Sequence, residues 1–339
     1  MTLKMIEGFN NLGLTPEKKF SVRHTGYGNI VADEIGGRGQ VLKMGNQPIH
    51  IPLDTYLTSG VIGFAVKFMD QPTGSSSFCQ VYSGPYACLR LNLTKYGGLV
   101  VLNSLNNSIA VLDIKTDFYI WHYFEIKINA ISDSSSPADV IIKMNGVVIY
   151  ECEAGEDFMY GVEPYFDCLH LEFSELAGAY FDAIYFCDLA GAKNNDYLGD
   201  MVVEQITPDG NGNSSNFLGS DADSTDNYLH VDETDPNDSD YIASSTPTDL
   251  DLFTFANLTG TPTLVHSVQT QARVVLNNPG LRTGKIVTRV DGTNYEGDVF
   301  YAGIGHLHFQ HLWEDNPDDA AAWEIADISN AEFGVKVES

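Results

Sequence analysis

Apolar and polar residues alternate in short runs along most of the chain, which is the pattern of half-buried β-strands. Between Trp121 and Asn129, the set of alternate residues that contains His122 and Phe124 is mostly apolar. This set is therefore predicted to face a core. Asn145-Gly146 separates two further apolar runs and is the strongest short hairpin signal in the chain.

The other strand predictions follow from the same pattern. Gly, Asn, Asp and Ser turns separate predicted strands over 59–69, 78–82, 87–93, 98–102, 140–144, 147–150, 168–173, 179–188, 269–276, 285–290, 301–310 and 333–337. Asp291-Gly292 indicates a second hairpin. Helical signals are scarce, and a short turn of helix is predicted over 318–323, after Pro317. Evenly spaced strands with tight turns predict an all-β protein built as a sandwich or jelly roll.

The strand pattern stops after Asp188, and residues 189–200 are predicted to form a linker or a domain corner. From Met201 to Gly260 the chain has twelve Asp or Glu residues and no Lys or Arg. Aromatic and aliphatic residues interrupt this block, so it is predicted to form ordered loops with few strands. The predicted organisation is an N-terminal arm with the first strands (1–50), a jelly-roll β-sandwich (51–192), an acidic junction with loops (193–260) and a second, smaller β-sandwich domain (261–339).

The charge excludes some partners. The chain has 46 acidic and 18 basic residues and a formal net charge of -28, which argues against binding to nucleic acid or to anionic membranes. We find no segment typical of a signal peptide or a membrane span, so the protein is predicted to fold in a cytoplasm. The chain has five cysteines, which is an odd number, and no two of them form a C-x-x-C pair. They predict buried reduced thiols, not disulfides or a zinc site.

Two groups of residues could bind metal ions. His306 and His308 would share one face of a strand, and Asp315 could add a third ligand, but His311 would point to the other face. A structural histidine pair is the preferred interpretation. Two acidic runs offer calcium ligands without the full EF-hand spacing, so solvated loops are preferred and bound calcium stays an alternative; the runs are Asp221, Asp223, Asp226 and Asp235, Asp238, Asp240.

Signals for catalysis are weak. Glu172 and Glu175 are spaced so that they would lie on opposite faces of a strand, unlike a glycosidase pair. A Gly-x-Ser-x-Gly motif is absent, and the glycine-rich segment 36–39 lacks the spacing of a phosphate-binding loop. We therefore predict no catalytic, cofactor or metal site and a protein that is not an enzyme. Aromatic residues could still stack on sugars, although most aromatics of a β-protein lie in its core; the candidates are Trp121, Tyr123, Tyr165, Trp313 and Trp323.

Several stretches resemble virion proteins of tailed bacteriophages. "WHYFEIKI", "VIIKMNGVVIYE" and "AYFDAIYFCD" are similar to strands of their concanavalin A or laminin G type jelly roll. "NNDYLGDMVVEQITPDGNGNSSNF" resembles the junction that follows, and "VDETDPNDSDYI" fits the same group. The ending "AAAWEIADISNAEFGVKV" does so too, with Trp323, Ile328, Phe333 and Gly334 as landmarks. The resemblance begins at about Gly60 and covers most of the chain.

This resemblance implies a structural component of the virion, which is made in the host cytoplasm. It would be a head decoration, collar or tail/fibre-attachment protein that acts through contacts with other virion proteins, as a homo-oligomer. The alternative is a receptor-binding adhesin that recognises host surface glycan through the jelly roll, because fold alone does not fix a ligand.

Overall fold

A computed structural model describes residues 2–10, 29–33, 38–44, 48–129, 139–153, 158–159, 162–173, 178–234, 237–278 and 280–339. The chain forms two compact units, and the boundary lies between Val203 and Glu204. Strands from the first fifty residues belong to the sheets of the first unit. In the described part of the chain, no helix has the length and apolarity that a bilayer span requires.

The first unit contains two antiparallel sheets. The eight-stranded sheet consists of β1 (Leu3–Glu7), β2 (Asn29–Ala32), β3 (Gln40–Met44), β5 (Ser59–Phe68), β10 (Trp121–Asn129), β11 (Asp139–Met144), β12 (Val147–Glu151) and β14 (Ala179–Asp188). The six-stranded sheet consists of β4 (Ile49–Leu57), β6 (Ser75–Ser83), β7 (Tyr86–Thr94), β8 (Leu99–Asn103), β9 (Ser108–Leu112) and β13 (Phe166–Leu171). The strand orders are β12-β11-β10-β5-β14-β3-β2, with β1 beside β14, and β4-β13-β6-β7-β8-β9.

Aromatic rings fill the space between these sheets. Phe64 and Phe68 of the eight-stranded sheet meet Phe78 of the six-stranded sheet at centroid distances of 6.4 and 5.1 Å. Phe124 and Phe173 extend the cluster, and all five side chains are fully buried. Each buried ring contributes on the order of 2–3 kcal/mol through removal of apolar surface from water. The predicted all-β sandwich is confirmed.

Strand β10 is buried on both faces, which the alternation of its sequence does not predict. His122, Phe124 and their alternate neighbours are buried as expected, but Tyr123 and Glu125 are also only 2% and 1% exposed. Glu125 Oε1 accepts hydrogen bonds from the Tyr185 hydroxyl at 2.7 Å and from the Gly199 N–H at 2.8 Å. Gly199 lies in the segment predicted to form a linker or a domain corner, and it therefore donates a hydrogen bond to a buried carboxylate of this sheet.

Asp182 of β14 is 1% exposed, and Arg38 Nη1 lies 3.7 Å from its carboxylate. Burial raises the pKa of Asp182 to about 8, although Arg38 and the Ala183 N–H act in the opposite direction. Between pH 3.8 and about 8, Asp182 is therefore protonated in the folded protein and ionised in the unfolded chain. The contribution of this site to stability falls as the pH rises through that window.

We expect Asp182→Asn to raise the free energy of unfolding at pH 9 by about 2 kcal/mol and to change it little at pH 4. Urea denaturation at the two pH values measures the difference. The exposed Asp113→Asn serves as the control. Equal effects of Asp182→Asn at both pH values would contradict the assignment.

The second unit is built around a five-stranded sheet with the order β15-β18-β23-β20-β21. Its strands are β15 (Pro208–Ser215), β18 (Leu250–Phe255), β20 (Arg282–Val290), β21 (Thr293–Ala302) and β23 (Glu332–Val337). Two strand pairs accompany it, β16 (Leu218–Gly219) with β17 (Ile242–Ala243), and β19 (Val268–Val274) with β22 (Leu307–Trp313). Trp313, Trp323 and Phe333 pack into one core cluster of this unit. A 3₁₀ turn covers Asn227–His230.

The helix prediction over 318–323 is wrong. The helix of this region, α1 (Ile325–Asn330), begins after Glu324, whose side chain forms a capping box with Asp327. Ala320 has a left-handed φ of 58°, which breaks a right-handed helix. The Trp323 indole N–H also donates to the Trp313 carbonyl at 2.9 Å, which fixes Trp323 in the core.

Candidate functional site

The five aromatic residues proposed for sugar stacking have different environments. Tyr123, Trp313 and Trp323 are buried in the two units. Trp121 is half-buried, and its indole N–H donates to Asp33 at 2.9 Å. Tyr165 differs, because its ring lies 4.5 Å from that of Tyr56, whose side chain is 68% exposed.

The three histidines of the second unit that were considered as metal ligands lie on β22 or directly before it. His308 and His311 pair in register with Arg273 and Thr270 of β19. His306 precedes the strand, and its Nε2 lies 3.6 Å from Asp238. Among the residues that the structure describes, these side chains do not form a group whose ligand atoms converge for a metal ion.

Several acidic side chains of the two runs form hydrogen bonds or ion pairs with other groups of the second unit. Asp223 accepts hydrogen bonds from the N–H groups of Ser224 and Thr225 at 2.6 and 2.9 Å. Asp238 forms an ion pair with Arg273, and Asp240 forms one with His230. Three of the positions considered from the sequence, Asp235, Glu175 and segment 36–37, lie outside the described residues. Bound calcium stays a prediction.

A cluster of polar side chains lies on the outer side of the six-stranded sheet. Leu169 and Leu171 of β13 are fully buried, and strand alternation places His170 on the opposite side. Register then aligns His50, His170, Gln80 and Arg90 across β4, β13, β6 and β7. We call this surface the polar face and define it as His50, Gln80, Tyr82, Arg90, His170 and Glu172.

Gln80 connects the polar face. Its amide N–H donates to Glu172, and its carbonyl oxygen accepts from Arg90 Nε at 3.1 Å and from the Tyr82 hydroxyl at 3.3 Å. Arg90 Nη1 also donates to Asn106 at 2.9 Å. The cluster therefore holds a guanidinium, a carboxylate, an amide and a phenol in fixed relative positions, as hydrogen-bond networks do.

Aromatic rings complete the polar face. The His170 ring stacks on Tyr82 with a centroid distance of 3.7 Å and meets the His50 ring at 3.5 Å. Burial, with a smaller effect of His50, lowers the pKa of His170 to about 3, so its imidazole is neutral near pH 7. Burial also raises the pKa of Tyr82. A neutral imidazole thus lies against a protonated phenol, and these two pKa shifts make His170 a weak base and Tyr82 a weak acid near pH 7.

The second unit has a cavity of about 320 Å³, which is at the lower end of the range for ligand sites. Asp298, Phe300, Phe309 and His311 are among the residues that line it. The Phe300 and Phe309 rings stack at 4.3 Å, and burial lowers the pKa of His311. The cavity has fewer convergent polar groups than the polar face, which we therefore consider the stronger candidate.

No protein-family model and no curated protein matches this chain, whereas solved structures do. Endo-β-1,4-glucuronan lyase from the fungus Trichoderma reesei matches with 11% identity, a TM-score of 0.40 and coverage of 55% of this chain and 95% of the lyase. Domain 4 of the extracellular arabinanase AbnA from Geobacillus stearothermophilus, in complex with arabinotriose, matches with 13% identity, a TM-score of 0.36 and coverages of 55% and 92%. Trypanosoma rangeli sialidase matches with 10% identity and a TM-score of 0.34, over 47% of this chain and 26% of the sialidase.

These matches correct one expectation. The prediction that the protein is not an enzyme is wrong, because the solved structures that it resembles include a lyase and a sialidase, and the arabinanase domain is part of a third enzyme. The absence of a carboxylate pair and of the known motifs from the sequence excludes only the reactions that need them. At the identities and TM-scores found, the matches assign no reaction to this chain and no role to any residue.

Proposed function

We propose that the protein recognises glycans through the polar face of its first unit. The observation that carries this proposal is the connected set of Arg90, Gln80 and Glu172 beside the stacked Tyr82 and His170 rings. A sugar presents hydroxyl groups that both donate and accept hydrogen bonds, and C–H surfaces that pack on rings. The polar face supplies partners for each of these features.

A pair of tyrosines, of which Tyr56 is exposed and Tyr165 is half-buried, extends the surface that is available to a glycan chain. Tyr56 and Tyr165 precede the paired residues Leu57 and Phe166 of β4 and β13, so they lie at one end of the six-stranded sheet. The Tyr165 hydroxyl is near Gly84, in the turn between β6 and β7. A chain of several sugar units could therefore contact the polar face and this tyrosine pair together.

The net charge of -28 favours some glycans over others. Long-range repulsion slows the approach of polyanions, and salt screens that repulsion. We therefore propose neutral, hydroxyl-rich glycans as the preferred ligands. If uronate-containing glycans bind, Arg90 is the cation of the polar face that their carboxylates would meet.

The experiment is a glycan array followed by calorimetry on each ligand found, with wild-type protein and two arginine variants. Arg90→Ala is expected to weaken binding about tenfold or more, because it removes a charged donor. Arg289→Ala, which removes a half-buried arginine of the second unit, is the matched control and should bind like wild type. Equal affinities of all three proteins, or no glycan bound at either low or high salt, would contradict the proposal.

Tyr82 and His170 lead to a second measurement in the same experiment. Each bound glycan is incubated with the protein, and its chain length is measured over time. If the face transfers protons during a cleavage reaction, Tyr82→Phe should slow cleavage about 100-fold or more, a size typical of general acid–base catalysis, and should change binding much less. Constant chain length with intact binding would identify a recognition site without turnover.

We also propose, from the sequence signatures alone, that the protein is a component of a tailed-phage virion and contacts other virion proteins as a homo-oligomer. In that setting the polar face would make it an adhesin for host glycan. Purified particles should then contain this chain, and quantitative mass spectrometry should give its copy number. Absence of the chain from washed infectious particles would refute this location and leave glycan binding open.

A further inference from the structure

Three potential metal ligands meet where the polar face borders β4. They are the imidazoles of His50 and His170 and the thiol of Cys168, and their ligand atoms all lie within 4.8 Å of one another. His50 and His170 are directly paired across β4 and β13, and Cys168 lies two positions before His170 on the same strand. In the described parts of the chain, His50, Cys168 and His170 are the one group of three or more potential metal ligands whose ligand atoms converge.

The donor set matches one class of metal ion. Thiolate and imidazole are the ligands of zinc and similar transition metals, whereas calcium and magnesium require oxygen ligands. Around a tetrahedral zinc ion, neighbouring ligand atoms are roughly 3.3–3.8 Å apart, given Zn–N and Zn–S bonds of about 2.0–2.3 Å. Closing the three donors from 4.8 Å or less to that separation requires shifts of about 1 Å, which side-chain rotations supply.

The surroundings favour a bound ion. Cys168 and His170 are 3% and 6% exposed, whereas His50 is half-buried and gives a route from solvent. The stack with Tyr82 fixes the His170 ring, as neighbouring side chains do around metal ligands. The Cys168 thiol donates a long hydrogen bond of 3.7 Å to the Leu169 carbonyl, which is a weak interaction for a metal ion to replace.

We propose that His50, Cys168 and His170 bind Zn²⁺ as a three-ligand site with its fourth position open toward the polar face. A structural zinc site is closed by four protein ligands, and a site with three leaves one position for water or a ligand oxygen. An ion here would lie beside Tyr82, within the surface proposed for glycans. The zinc site does not depend on glycan binding, because it rests on His50, Cys168 and His170 alone.

The test uses the full chain, first treated with a chelator, and contains no glycan. Calorimetry with Zn²⁺ should give one ion per chain with micromolar or tighter affinity. Co²⁺ serves as the spectroscopic probe, since a cysteine ligand produces a thiolate-to-cobalt absorption band that carboxylate ligands do not. The acidic second unit can attract cations without a cysteine, so the band separates the proposed site from such binding.

Two variants locate the site. Cys168→Ser should remove the cobalt band and weaken Zn²⁺ binding at least tenfold, and His50→Gln should weaken it to a similar extent. Cys152→Ser replaces a half-buried cysteine outside the cluster and should behave like wild type. If Cys168→Ser does not fold, His50→Gln at the partly exposed edge position decides the question. A missing cobalt band in the wild type, or Zn²⁺ binding that neither variant changes, overturns the proposal.

Discussion

Replacing Gly63 with alanine should destabilise the first unit by about 3 kcal/mol, at the upper end of the usual cost of overpacking. A β-carbon on Gly63 would lie 1.9 Å from Tyr185 Cε1 and 2.5 Å from its Cδ1. The Tyr185 ring cannot move away cheaply, because it is fully buried and its hydroxyl donates to Glu125. Either the ring leaves its rotamer and Glu125 loses a hydrogen bond, or the β5–β14 pairing separates.

Urea denaturation of the purified variant gives the change in the free energy of unfolding. Gly74→Ala is the control, since a β-carbon there meets nothing within 4 Å, and it should change stability by less than about 0.5 kcal/mol. In a double-mutant cycle, Tyr185→Ala should cost less in the Gly63→Ala background than in wild type. If Gly63→Ala is as stable as Gly74→Ala, Tyr185 does not pack on Gly63 as described.

The sequence pattern predicted the strands well, because the alternation of apolar and polar residues within a strand follows from which of its faces is buried. The alternation around Phe124 and the Asn145-Gly146 turn both depend on neighbouring residues only, and the structure contains the corresponding β10 and β11–β12 hairpin. The sequence of a strand does not show whether a distant segment of the chain buries its other face. Glu125 looks like a solvent-facing strand residue until Gly199, which is distant in sequence, donates to it.

The polar face could not be assembled from sequence for the same reason. Its members lie on four strands or, for Glu172, directly after β13. Strand β13 separates β4 from β6 in the sheet although β4 and β6 are close in the chain. One signal was available, since polar residues occur at alternate positions in "CLHLE" and "FCQVY". This alternation marks a polar side for each strand. It does not show that the strands are neighbours, which is information that only the register supplies.

For the same reason, the sequence did not distinguish Cys168 from the other cysteines. From spacing alone, five cysteines without a C-x-x-C pair predict buried thiols, and four of the five are buried. Burial raises the pKa of Cys88 to about 12, which keeps its thiol protonated and inert. Cys168 differs from Cys88 by its position beside two imidazoles, and one of them, His50, belongs to a distant part of the chain.

Lys67→Ala should destabilise the first unit by about 3–5 kcal/mol, because it leaves a buried carboxylate without its cation. Lys67 and Asp33 form an ion pair whose side chains are 3% and 1% exposed, and Trp121 also donates to Asp33. Burial alone would raise the pKa of Asp33, but the bonds from Lys67 and Trp121 outweigh it and lower that pKa below 3.8. The stability from this pair is therefore complete above pH 3.8 and is lost as the pH falls through the lower folded-state pKa.

Denaturation of Lys67→Ala and wild type at several pH values tests both parts of this prediction. The difference in stability should be constant above about pH 5 and should narrow in acid, where the wild type loses the ion pair too. Lys115→Ala is the matched control, because Lys115 and Asp117 are paired but 84% and 59% exposed, and it should cost less than about 1 kcal/mol. The double variant Lys67→Met/Asp33→Leu should recover most of the loss, since an apolar pair avoids desolvation of two charges. A double variant less stable than Lys67→Ala would show that Asp33 stabilises the sheet through Trp121 and not through Lys67.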